Sequence, residues 1–77
     1  VGVMLNLRVD GAKLRTTRED AGLSVAALAD RVECSIWNIY RIENGNGQPS
    51  AELYARLRAA LMVTNAELLA DTEEGAA

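Results

Sequence analysis

Residues 23–49 read LSVAALADRVECSIWNIYRIENGNGQP, and this stretch contains the start and stop signals of two short helices. Ser24 and Ser35 are good N-cap residues, because a serine hydroxyl accepts a hydrogen bond from a backbone N–H of the first helical turn. We therefore predict one helix over about residues 25–32 and a second over about residues 36–44, followed by a glycine that closes it.

Each of these two predicted helices carries a narrow apolar stripe. Leu28, Ala29 and Val32 form the inward face of the first helix, and the small Ala29 leaves room for a second helix to cross closely. Ile39 and Ile42 form the inward face of the second helix. At about 100° per residue, the opposite face then presents Ile36, Trp37, Tyr40, Arg41 and Asn44.

The sequence before this pair predicts a first helix. Asp10 is a suitable N-cap and Gly22 stands at the C-terminal stop position, so the helix is expected over about residues 10–21. Leu14 and Ala21 are expected to face the core, with Arg18 between them.

The sequence after the pair predicts two more helices. Residues 44–49 are rich in turn-forming residues, Ser50 is the N-cap of a fourth helix, and Thr64 with Glu67 forms a capping box that starts a short fifth helix. The residues expected to face inward are Leu53, Leu57, Ala60, Leu61, Leu68 and Leu69. The predicted fold is a compact all-α domain of five short helices.

The two ends of the chain differ from this helical part. Every second residue of 1–9 is apolar, which is the period of a β-strand, and the residues are Val1, Val3, Leu5, Leu7 and Val9. A strand in a helical domain needs a partner, for which its copy in a second subunit is a candidate; alternatively, residues 7–9 begin the first helix. We divide the chain into an apolar, strand-like arm (1–9), a helical domain (10–70) and an acidic tail (71–77).

The composition excludes several classes of function. With no histidine and one cysteine, a single chain cannot assemble an internal disulfide, a zinc site or a nucleophile–histidine catalytic pair. We therefore expect neither an enzyme nor a bound metal or cofactor. No apolar run approaches the ~20 residues of a membrane span, and a lone thiol fits a reducing compartment, so no membrane association and a cytoplasmic location are expected.

The length allows one domain with a small core, and the charge along it is uneven. The 77 residues have a net charge of −3. Residues 1–49 hold six basic and six acidic groups, whereas residues 50–77 hold two basic and five acidic groups. Such a chain binds nucleic acid only weakly unless its few cations are well placed.

The caps, turn residues and apolar positions together resemble one family. The residues that carry the resemblance are Arg18, Leu23, Ser24, Leu28, Ala29, Val32, Ser35, Ile39, Ile42, Glu43, Gly45, Pro49, Ser50, Leu57, Leu61 and Leu68. Their order and spacing, over about residues 10–69, resemble the helix-turn-helix proteins of the lambda-repressor, Cro and xenobiotic-response-element type. The resemblance implies that the helix over about residues 36–44 is a recognition helix for the major groove of DNA.

The resemblance also implies roles for individual side chains. Ile36, Trp37 and Arg41 stand at positions of base contact, and Asn44 stands at a position of phosphate contact. A guanidinium such as that of Arg41 fits the O6 and N7 edge of guanine, although an exposed arginine can also simply be solvated. The full set of expected DNA-binding residues is Val25, Ser35, Ile36, Trp37, Asn38, Tyr40, Arg41 and Asn44.

Trp37 is unusual because a large apolar side chain points away from the expected core. It can pack on a thymine methyl group, it can anchor a protein partner, or a rotated helix or a loop can cover it. Val25 and Ile36 stand where members of the family usually carry polar residues. Val25, Ile36 and Trp37 are therefore candidates for one continuous apolar patch.

Four further features concern the scaffold. Arg18 and Glu43 match a partly buried salt bridge of the family, which ties helix 1 to the end of the recognition helix; the alternative is two separate surface charges. Glu33 stands in the turn where the family often has glycine, so a left-handed backbone there would cost ~1 kcal/mol. Cys34 takes a small buried position and is expected to be an inert thiol. Arg58 replaces a usual alanine, which predicts a more open face on helix 4.

The predicted function is that of a sequence-specific, DNA-binding transcriptional regulator, a minimal Cro-like or repressor protein of phage or bacterial type. It is expected to bind double-stranded DNA as a homodimer, with half-sites ~34 Å apart, through a dimer contact at the arm or at helix 5 with Leu68 and Leu69. The alternative is a protein-interaction module on the same scaffold, an anti-repressor or transcription adaptor, that uses the Val25, Ile36 and Trp37 patch.

Overall fold

A computed structural model of the protein describes residues 8–70 and contains five α-helices in that range. The helices are α1 (Gly11–Asp20), α2 (Val25–Val32), α3 (Ile36–Glu43), α4 (Ala51–Leu61) and α5 (Asn65–Leu68). The predicted all-α fold is confirmed, and α2 and α3 are the pair predicted from residues 23–49.

Side-chain caps start the helices where the sequence predicted them. The Asp10 carboxylate accepts hydrogen bonds from the first turn of α1, and the serine hydroxyls before α2, α3 and α4 each accept one from a backbone N–H three residues later. At α5, the Thr64 N–H donates to the Glu67 carboxylate at 2.9 Å. Each cap satisfies backbone donors that the helix itself leaves free.

The core is apolar and lies where all five helices meet. Its members are Val9, Leu14, Leu28, Ala29, Val32, Ile39, Ile42, Leu53, Leu57, Leu61 and Leu68. α1 packs against α3 and α5, while α2 packs against α3 and α4. Ala60 and Leu69 are half-buried against this core. None of the helices in residues 8–70 has the length and apolar character that a membrane span requires.

Two expectations are corrected, one about the core and one about the dimer contact; Leu68 itself faces inward as predicted. Ala21 is exposed rather than part of the core, because α1 ends at Asp20 and Ala21 lies in the turn that leads to Gly22. Leu68 is completely buried inside one chain. Its side chain therefore contributes to the core and not to a dimer contact, whereas the half-buried Leu69 retains some exposed surface.

The segment before α1 pairs with the end of the same chain. Val9 and Leu69 form an isolated antiparallel bridge, flanked by hydrogen bonds from the Asp10 N–H to the Leu68 carbonyl (2.8 Å) and from the Ala70 N–H to the Arg8 carbonyl (2.9 Å). Residues 8–10 are thus extended, and α1 does not begin at residues 7–9. Most of the predicted arm (1–9) and all of the predicted tail (71–77) lie outside the described residues.

Candidate nucleic-acid interface

The outer face of α3 exposes three large apolar side chains. Trp37 is 69% exposed, Tyr40 43% and Ile36 38%. The ring centroids of Trp37 and Tyr40 are 6.0 Å apart and the ring planes are inclined by 44°. The two rings are therefore neighbours in one exposed patch. Neighbours three and four positions apart share a helix face, which accounts for this grouping.

These side chains line a shallow concave surface, which we call the α3 surface. Its lining residues are Ile36, Trp37, Tyr40, Arg41, Asn44 and Asn46. Arg41 is the only charged residue among these six, so the α3 surface is positive although the chain as a whole is negative. Asn46 was missed by the sequence reasoning, because it lies beyond the helix in a segment interpreted only as a turn.

Arg41 is braced by the residues around it. Its Nη1 lies 3.5 Å from the Asn38 Oδ1, and its backbone carbonyl accepts a hydrogen bond from the Asn46 N–H at 2.8 Å. Its guanidinium also packs against Gly47, where a Cβ atom would stand 2.9 Å from the Arg41 Nη2. Because residue 47 has no side chain, the guanidinium can lie this close to the loop after α3.

Three other predicted interface residues serve the scaffold as well. Val25 is half-buried, packs against the core and does not line the α3 surface. The Ser35 hydroxyl accepts a hydrogen bond from the Asn38 N–H at 3.2 Å, as the N-cap of α3. The apolar part of the α3 surface is thus formed by Tyr40 together with Ile36 and Trp37, rather than by Val25.

A buried ion pair fixes the orientation of α3. The Arg18 Nε donates to the Glu43 Oε2 at 2.7 Å and the Arg18 Nη2 to the Glu43 Oε1 at 3.2 Å, while the Arg18 Nη1 donates to the Leu23 carbonyl at 2.7 Å. The two side chains are only 9% and 5% exposed. The hydrogen bond to Glu43 raises the pKa of the Arg18 guanidinium against the opposing effect of burial, so Arg18 stays charged.

A close backbone approach holds the same end of α3. A Cβ atom on Gly11 would overlap the carbonyl oxygens of Ile42 and Glu43, so only glycine allows the start of α1 to lie this near. The positive end of the α1 dipole thereby meets the negative end of α3, which is a favourable arrangement.

Gln48 ties the loop after α3 to the chain segment before α1. The Val9 N–H donates to the Gln48 Oε1 at 2.7 Å, and the Gln48 Nε2 donates to the Val9 carbonyl at 3.1 Å. The amide side chain thus pairs with Val9 as a neighbouring strand would. Sequence reasoning missed Gln48, because its partner is 39 residues away and no local pattern indicates the contact.

The structure also describes three other residues that the sequence analysis singled out. Glu33 has φ 60° and ψ 48°, the left-handed conformation expected for this turn position. Cys34 is half-buried against the core rather than fully buried as expected, and burial raises the pKa of its thiol. Arg58 is exposed, and its guanidinium carbon lies 5.9 Å from the centroid of the Tyr54 ring.

No group of three or more metal-ligating side chains occurs within residues 8–70.

The sequence model of the helix-turn-helix domain matches residues 11–70. The chain therefore belongs to the helix-turn-helix family, which confirms the resemblance found in its caps, turn residues and apolar positions. No curated protein sequence matches the chain significantly.

Several solved structures share the fold. The clp gene regulator ClgR from Corynebacterium glutamicum is 33% identical, with a TM-score of 0.69, over 74% of this chain and 61% of that chain. The restriction-modification controller protein C.AhdI from Aeromonas hydrophila is 28% identical, with a TM-score of 0.69, over 74% of this chain and 86% of that chain. The DNA-binding domain of the P22 C2 repressor is 26% identical, with a TM-score of 0.70, over 80% of this chain and 82% of that chain. The chain thus spans less than two thirds of the ClgR chain.

Proposed function

We propose that this chain is a sequence-specific DNA-binding regulator of transcription that places α3 in the major groove. The observation that carries the proposal is the α3 surface, where the exposed Arg41 stands beside Trp37 on a helix held in a fixed orientation. A recognition helix must hold its side chains at fixed positions relative to base edges, and the Arg18–Glu43 pair supports that rigidity.

The similarity to known regulators supports the same function. ClgR and C.AhdI are described as a gene regulator and a controller protein, and the P22 C2 domain as DNA-binding. In this proposal the chain acts by binding DNA and not by catalysis.

The charge distribution predicts how the protein binds. A net charge of −3 disfavours binding to DNA of arbitrary sequence, while the α3 surface carries Arg41 and no acidic residue. Affinity for the correct site then depends on base contacts and on a few phosphate contacts. We therefore expect the affinity for the correct site to exceed the affinity for other DNA sequences by a large factor.

We further propose that two chains bind one operator. A single short recognition helix reads only a few base pairs, whereas a two-fold dimer reads two half-sites about 34–36 Å apart. The operator should accordingly be an inverted repeat with half-sites about one helical turn apart. Sedimentation of the complex should give two chains for each duplex.

Random-site selection with the purified full chain tests the proposal. We expect an enriched inverted repeat, bound with an affinity that falls steeply as salt concentration rises, because each phosphate contact releases a counterion. Failure to enrich any motif, with no salt-dependent binding to any duplex, would reject DNA binding. That result would favour the protein-interaction module, for which the exposed Trp37 is the supporting feature.

A further inference from the structure

The α3 surface is more apolar than direct hydrogen-bond readout of bases requires. Ile36 and the rings of Trp37 and Tyr40 supply its apolar part, and its polar groups are the Arg41 guanidinium, the amides of Asn44 and Asn46, the Tyr40 hydroxyl and the Trp37 indole N–H. Three exposed apolar side chains grouped on one surface mark a binding site rather than ordinary surface variation. A ligand that presents apolar groups beside negative charge suits this surface, because Arg41 is its only charged lining residue, and DNA has this character.

The major groove of DNA presents one kind of apolar group. Guanine, adenine and cytosine carry hydrogen-bond donors and acceptors but no methyl group along their major-groove edges, whereas thymine carries its C5-methyl group. A cytosine methylated at C5 presents a methyl group at the corresponding place.

We propose that the α3 surface recognises pyrimidine C5-methyl groups, with Trp37, Tyr40 and Ile36 as the residues that contact them. This inference rests on the proposed DNA-binding function and names the group that the same surface reads. The chain then distinguishes thymine from uracil, and 5-methylcytosine from cytosine, by apolar contact alone.

The geometry of the two rings sets the expected spacing of the methyl groups. Their centroids are 6.0 Å apart, which is close to two base steps of about 3.4 Å along the duplex. The inclination of 44° turns the two ring faces in different directions, so the rings can cover different methyl groups. We therefore expect two methyl groups, about two steps apart in each half-site, to contribute to binding.

Replacement of thymine by uracil tests the proposal, because it removes the methyl group and leaves base pairing and hydrogen-bonding groups unchanged. In the duplex obtained by selection, each thymine is replaced singly by uracil and the dissociation constant is measured. Burial of one methyl-sized group corresponds to about fourfold in affinity. We expect about fourfold weaker binding at two positions in each half-site and no change elsewhere.

A second replacement restores the methyl group in a different base. At a sensitive position, the T·A pair is changed to C·G, with either cytosine or 5-methylcytosine in the strand that carried thymine. The two duplexes differ only in the methyl group. We expect the duplex with 5-methylcytosine to bind about fourfold more tightly.

Protein variants assign the effect to the α3 surface. In Trp37→Ala, Tyr40→Ala or Ile36→Ala, replacement of thymine by uracil should weaken binding by less than twofold at the position that the missing side chain contacts. This loss of affinity is the uracil penalty of that position. All three residues are exposed, so the variants should keep the fold, which thermal unfolding checks. Met62→Ala is the matched control, because Met62 is also an exposed apolar residue (89%) but does not line the α3 surface. Its uracil penalties should equal those of the unaltered chain.

The possible failures are distinguishable. If a selected duplex is bound with salt-dependent affinity but no uracil replacement matters by more than twofold, methyl recognition is wrong and DNA binding stands. Uracil penalties that persist in all three α3 variants also overturn the assignment to this surface. If no duplex is bound at all, the proposed function and this inference fail together.

Discussion

Arg18 on α1 and Glu43 at the end of α3 form a two-pronged ion pair inside the protein, with N–O distances of 2.7 and 3.2 Å. The remaining nitrogen of the Arg18 guanidinium donates to the Leu23 carbonyl just before α2. One buried cation thus links α1, the segment before α2 and the end of α3. The orientation of the α3 surface depends on this link.

Replacement of Arg18 by methionine should destabilise the fold strongly. The variant leaves the Glu43 carboxylate buried without its partner, and breaking such a pair costs about 3–5 kcal/mol in the free energy of unfolding. Urea unfolding followed by circular dichroism measures the loss. Arg15→Met is the control, because the Arg15–Glu19 pair is exposed and its loss should cost less than about 1 kcal/mol.

The double variant Arg18→Met with Glu43→Leu keeps this prediction testable if the single variant does not fold. An apolar pair of similar volume can replace a buried ion pair with little loss. The double variant should therefore fold and be more stable than Arg18→Met alone. Equal stability of Arg18→Met and the unaltered chain would contradict the structural role of the pair.

Replacement of Gly11 by alanine should destabilise the protein, although alanine usually favours helices. The added Cβ would overlap the carbonyl oxygens of Ile42 and Glu43, so α1 must move away from α3. Overpacking of this kind costs about 1–3 kcal/mol. The melting temperature measures the effect, with the exposed Thr16→Ala in the same helix as control. A melting temperature that rises as in the control would show that the close approach is absent.

Replacement of Glu33 by glycine should stabilise the protein. Glu33 has φ 60°, a left-handed conformation that costs a residue with a side chain roughly 1–2 kcal/mol, partly offset by the greater freedom of glycine in the unfolded chain. A net gain of about 1 kcal/mol would raise the melting temperature by roughly 4–8 °C. Glu33→Ala is the control, since it removes the charge and retains the strain. If alanine stabilises as much as glycine, the gain comes from the charge and not from the backbone.

Replacement of Arg41 by alanine should weaken binding to the selected operator by about 1–3 kcal/mol and relax the sequence preference at one base pair. Repeated selection with the variant measures both effects. Arg58→Ala is the control, because Arg58 does not line the α3 surface and its loss should leave the preference unchanged. A loss of affinity for Arg41→Ala that is equal on all sequences would identify a phosphate contact instead of a base contact.

Those parts of the fold that depend on neighbouring residues could be predicted from the sequence. The N-cap Ser35 accepts a hydrogen bond from the backbone N–H of a residue only three positions later. A few consecutive residues are therefore enough to predict such a cap. The outward orientation of Trp37 also followed locally, because it depends only on helical period and on the buried Ile39. Ala21 was placed wrongly because helix periodicity was extended one residue beyond the actual end of α1.

Contacts between distant segments could not be predicted in the same way. The pairing of Gln48 with the backbone of Val9 and the overlap that excludes a side chain at Gly11 depend on how separate helices pack. Neither residue type signals its partner along the chain. The Arg18–Glu43 pair joins residues that are also distant in sequence, and its prediction relied on the resemblance to a known family and on the inward position of Glu43, where a charge needs a partner.

The fluorescence of Trp37 tests most directly whether α3 enters the major groove, because Trp37 is the only tryptophan of the chain and is 69% exposed. On titration with the selected duplex, its emission should change in intensity and wavelength, saturate at two chains for each duplex, and return to its initial state at high salt. A duplex of scrambled sequence should cause little change. Binding of labelled duplex with no change in Trp37 emission would contradict the placement of α3 in the groove.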